Sequence, residues 1–129
     1  MLLQRTNHKN IVKCFEVFGF EGHQIAVLEN LKTLDRAMEL VDIYNKNGLQ
    51  INKTQILTNI VLDVLRGMTY LQNTFNLQFI NILPKHIMFE ETTKGKFTAK
   101  IINFTSGFDV LNGKTQQNPK YAAPELQNN

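Results

Sequence analysis

Residues 79–89 read FINILPKHIMF and set a few polar groups inside an apolar run. Asn81 lies just upstream of Pro84 and His86, with Ile82, Ile87, Met88 and Phe89 around them. The chemistry on offer is thin. A neutral amide such as Asn81 is a poor base and carries no negative charge. His86 has no second His, Cys or carboxylate at ligand spacing, which argues against a metal centre. His8 and His23 fall in turn-like settings, Asn7-His8-Lys9-Asn10 and Glu21-Gly22-His23. Cys14 is the single cysteine and stands between Lys13 and Phe15 in an apolar stretch. It has no intrachain disulfide partner, and a buried free thiol is expected.

These residues need elements to hold them, and the hydrophobic spacing indicates which. Residues 1–6 read as the tail of a helix. IVKCFEVFGF alternates loosely and predicts a strand, Glu21-Gly22-His23 a turn, and QIAVLE a second strand, together an antiparallel hairpin. Leu34, Ala37, Met38 and Val41 carry helical spacing over Thr33–Tyr44, with a stop near Asn47-Gly48. The strongest helix runs from Lys53 to Asn73, where Ile56, Ile60, Val61, Val64, Met68 and Leu71 form one apolar face. IMFE and FTAKIINF then predict a second hairpin around the turn KGKF. The remainder has Gly, Asn and Pro punctuation and little periodicity. The fold class expected from this order is α+β.

The 129 residues suffice for one domain with a core but are too few for two comfortable ones. With 43% hydrophobic and 19% charged residues, the composition is that of a globular chain. The net charge of +3 comes from scattered Lys and Arg, so the expected surface is mildly basic with no nucleic-acid face. No apolar run is long enough to span a bilayer, and MLLQRTNHKN is too short and polar for a signal peptide. A soluble, cytoplasmic protein without membrane partners is the expectation.

Five segments, in order, resemble a eukaryotic protein kinase of the serine/threonine type. LLQRTNHKNIVKCFEVF is similar to the end of helix C and its following strand, L..L.HPNIV. IAVLEN resembles the strand entering the hinge. Residues 81–89, NILPKHIMF, match the spacing of the catalytic loop D-L-K-P-E-N-I-L-L, and KIINFT fits the strand into D-F-G at Asn103-Phe104-Thr105. NPKYAAPE resembles T-P-E-Y-L-A-P-E, keeping Pro119, Tyr121, Ala123, Pro124 and Glu125. The resemblance implies a partial kinase-like domain: residues 1–29 from the N-lobe, and residues 30–129 as hinge and C-lobe through the activation segment. The glycine-rich loop, the strand-3 lysine and the helix-C glutamate would lie outside it.

What the resemblance implies for chemistry is mostly loss. Phosphoryl transfer depends on positioning and charge neutralisation. Asn81 stands where the catalytic Asp belongs, Leu83 replaces the phosphate-steadying lysine, and Asn118 replaces the Thr that bridges those two. His86 and Asn103 replace the Asn and Asp that hold Mg²⁺, a hard cation preferring oxygen ligands. Leu28 as gatekeeper, Glu29, Leu31 and Met88 would outline the nucleotide slot. Phe79 and Phe104 would stack in a column with Leu3 and Cys14. Ile80 removes the arginine that would meet a phosphorylated Thr115. The expectation is a pseudokinase needing no cofactor. It would bind a protein partner, or itself, through apolar surface that includes whichever of Val12, Phe15 and Phe18 face outward. Two alternatives stand beside it: part of a working kinase that binds ATP and Mg²⁺ once completed by the missing lobe, and a truncated product without a stable role.

Overall fold

The computed structural model describes residues 2–77 and 82–102. Those residues form a small mixed fold of two two-stranded antiparallel sheets and two helices. A three-residue 3-10 turn, Leu2–Gln4, opens the chain where a helix tail was expected. Strands β1 (Cys14–Phe20) and β2 (His23–Leu28) form the first hairpin. Glu21 and Gly22 both take positive φ, 48° and 79°, the conformation that matches a tight turn to the twist of its strands. The first strand was expected to start at Ile11. Instead Ile11 forms an isolated parallel bridge with Ile101, and the N–H of Val12 donates to the Ile101 carbonyl at 3.0 Å.

Helix α1 (Leu34–Lys46) begins at Thr33, whose hydroxyl accepts from the Arg36 N–H, and buries Ala37 and Val41 as their spacing predicts. Helix α2 (Lys53–Phe75) is the longest element among the described residues. Asn52 caps its start by accepting from the N–H groups of Thr54 and Gln55, and Asn76 ends it in the left-handed region at φ 54°. A 3-10 turn, Pro84–His86, leads into β3 (Ile87–Thr93), which pairs with β4 (Lys96–Ile101). The second hairpin follows the predicted order, although β4 stops at Ile101; Phe104, the expected strand end, is outside the described residues.

The buried face of α2 is rotated from the one its apolar residues suggest. Val61 is 58% exposed, while Asp63 and Gly67 are buried beside Ile56 and Leu71. At 100° per residue, Val61 lies about 125° from the mean direction of those four. Two contacts set this rotation. Asp63 Oδ2 accepts from the Ala99 N–H at 3.0 Å. Gly67 lets α2 approach so closely that an added Cβ would sit 3.0 Å from both the Asn10 carbonyl oxygen and Ile101 Cδ1.

Ile11, Leu71, Leu77 and Ile101 form one core cluster, with Leu3, Val64 and Met68 packed on it; Ala37, Phe89 and Ala99 form another, joined by Leu34, Ile60 and Phe97. Buried Asn10 ties the segment before β1 to β4, donating from Nδ2 to the Ala99 carbonyl at 2.9 Å and accepting from the Ile101 N–H at 3.0 Å.

Candidate functional site

Two backbone hydrogen bonds fix the described part of the 79–89 stretch at His86. His86 N–H donates to the Leu83 carbonyl at 2.8 Å, closing the 3-10 turn behind Pro84, and Ile102 N–H donates to the His86 carbonyl at 2.8 Å. Leu83 is 7% exposed, so its hydrocarbon is largely withdrawn from solvent. His86 is buried as well. Among the described residues no group of three or more His, Cys, Asp and Glu could hold a metal ion. Asn81, Asn103 and Asn118 lie outside the described residues, as do Phe79, Phe104 and Thr115.

The segment between β2 and α1 is tied to β3. Lys32 and Phe89 exchange backbone hydrogen bonds of 2.7 and 2.8 Å. Leu28 ends β2 opposite Cys14, and Leu28, Leu31 and Met88 are each half-buried. Met88 lines a cleft of about 320 Å³ with Thr33, Leu34, Pro84, Lys85 and Ile87. Leu28, Glu29 and Leu31 are not among the described residues of that lining. A neighbouring apolar cleft of about 300 Å³ is lined by Leu34, Ile60, Ile82, Pro84, Ile87 and Phe89.

Glu29 has a role its place in the sequence did not signal. Its Oε1 accepts from Lys100 Nζ at 2.7 Å and from the Lys13 N–H at 2.8 Å, while its own N–H donates to the Lys13 carbonyl. Lys100 is buried and also reaches Glu90 at 3.4 Å. This cluster joins the two hairpins. Tyr44 was likewise missed. Its hydroxyl donates to Glu91 Oε2 at 2.7 Å, and that bond to a carboxylate pushes the phenol pKa up.

Cys14 is half-buried instead of buried, with its thiol donating to the Glu16 carbonyl at 3.5 Å beside a register shift between Cys14 and Glu16. His8 follows the turn expectation, its carbonyl accepting from the Ile11 N–H. Its ring also stacks on Tyr70 at 4.8 Å, and Nδ1 accepts from the Asn10 N–H at 3.0 Å. Burial, with Lys9 nearby, holds its pKa below the ordinary value. His23 opens β2 opposite Phe20.

The apolar surface expected to face outward is partly inside. Val12 is buried, because its N–H joins β4 and carries the side chain into the core. Phe15, Phe18 and Phe20 do face solvent, at 62, 41 and 58% exposure, with Val27 on the paired strand also exposed. Phe18 opposes Ile25, Glu16 opposes Val27, and Phe20 opposes His23, so these residues share one side of the hairpin. No helix among the described residues is long and apolar enough to cross a membrane. Compared with models of known protein families and with curated proteins, the chain finds no match.

Proposed function

We propose that the chain is a protein-kinase-like module that has lost phosphotransfer and serves as a protein-binding or scaffolding element. The order of elements supports this reading, as does the pairing of the hinge-like segment with β3 at Lys32 and Phe89. Loss of catalysis is supported at Leu83, where the resemblance expects a lysine and the side chain is a buried hydrocarbon. A hydrocarbon stabilises no phosphate charge, and an apolar interior resists a replacement charge.

The open aromatic side of the β1–β2 hairpin carries the binding function. Phe18, Phe20 and Val27, each about half exposed, leave on the order of 2–4 kcal/mol of hydrophobic stabilisation for a partner to recover. Aromatic anchors of this kind dominate protein interfaces. A second protein, or a second copy of the chain, covers the face. Sedimentation velocity on the purified chain tests this. Concentration-dependent association, abolished by Phe18→Ser with Phe20→Ser, is expected. A concentration-independent monomer with a sharp melt, indifferent to those substitutions, would refute it.

A further inference from the structure

The outer edge of β4 is satisfied residue by residue until it reaches Phe97. Register fixes which residues point their backbone groups outward: Phe89 turns out toward Lys32, so its opposite, Ala99, turns out on the other edge, and so do Ile101 and Phe97. Ile101 donates to the Asn10 carbonyl and accepts from the Val12 N–H. Ala99 donates to Asp63 Oδ2 and accepts from Asn10 Nδ2. Phe97 comes next in the alternation, and among the described residues nothing bonds its outward N–H or C=O.

That edge opens into a cleft of about 640 Å³ between α2 and the β3–β4 hairpin. Gln55, Asn59, Asp63, Arg66, Lys96 and Phe97 are on its walls. Both Asp63 oxygens are engaged, Oδ2 by the Ala99 N–H and Oδ1 by Arg66 at 3.4 Å. Lys96 joins no ion pair among the described residues, and Arg66 has only its single long contact. Asp63 offsets one of the two cations, so the cleft keeps one net positive charge beside an unpaired strand edge.

We propose that this cleft takes up an extended acidic peptide. Its backbone exchanges two hydrogen bonds with Phe97, adding a short strand to β4, and its carboxylates meet Arg66 and Lys96. The site is separate from the aromatic side of the β1–β2 hairpin and depends on no family resemblance.

Fluorescence anisotropy with the purified full chain tests it, using a short labelled peptide of alternating Val and Glu. Two controls leave the protein unchanged: the same peptide with Lys for Glu, and the same peptide N-methylated at alternate backbone positions. Saturable binding of the acidic peptide is expected, about tenfold weaker with Arg66→Gln or with Lys96→Gln and lost on N-methylation. Equal binding of all three peptides, or no saturation below about 1 mM, would overturn the proposal. Should Arg66→Gln unfold the chain through its contact with Asp63, the two control peptides decide alone.

Discussion

Lys100→Met removes the cation that joins the two hairpins. Lys100 and Glu29 side chains are only 10 and 16% exposed, and their charged atoms are 2.7 Å apart. Breaking a buried pair from one side costs about 3–5 kcal/mol, chiefly because the other charge is left uncompensated. Two features reduce that here: Glu29 keeps its hydrogen bond from the Lys13 N–H, and both side chains retain some access to water. The expected loss is about 2–3 kcal/mol, a fall of roughly 1–2 M in the urea midpoint at the slope usual for a small domain. Glu29→Gln should cost somewhat less, since the amide oxygen still accepts from Lys13 and Lys100 keeps Glu90 at 3.4 Å. The double variant tests the logic, because removing both charges strands neither. It should be more stable than the sum of the single losses predicts by about 1–2 kcal/mol. Additivity within about 0.5 kcal/mol, or an unchanged midpoint for Lys100→Met, would show that the pair does not couple the hairpins.

Leu83→Lys, which places there the residue that the kinase resemblance expects, should destabilise the fold by about 3 kcal/mol or more, as a thermal melt will show. Gly67→Ala should lower the urea midpoint by about 1 kcal/mol equivalent, since the crowding against Asn10 and Ile101 outweighs the better helix propensity of Ala; a gain would mean that this contact yields easily. His8 titrates below its ordinary 6.5, so the folded chain favours the neutral ring and the unfolded chain protonates first on acidification. Its contribution is complete above pH 6.5 and is lost as pH falls through the lower folded value, so urea midpoints should decline with acidification and His8→Gln should flatten that decline.

Local chemistry in the sequence carried most of the secondary structure. The Glu21-Gly22 turn, the spacing of Ala37 and Val41, and the α2 period each rest on neighbours within a few residues. The exact buried face of α2 depends on Ala99 and Asn10, which the chain brings to Asp63 and Gly67 from distant positions, so Val61 looked interchangeable with its neighbours. Glu29 and Lys100, 71 positions apart, gave no sign of each other. At the site, the identity of Leu83 was plain but its burial was not, because apolar character alone does not separate a core position from a cleft wall. Asn81, Asn103 and Asn118 lie outside the described residues, so chemistry there is read from residue type alone.

The central claim, a kinase-like chain without phosphotransfer, is tested most directly by transfer of labelled γ-phosphate from ATP to generic protein substrates. The purified chain should give no transfer above a protein-free blank, with or without Mg²⁺. Restoring Asp at positions 81 and 103, Lys at 83 and Asn at 86 together should leave that result unchanged. Transfer by the wild-type chain that disappears with Asn81→Ala would contradict the account.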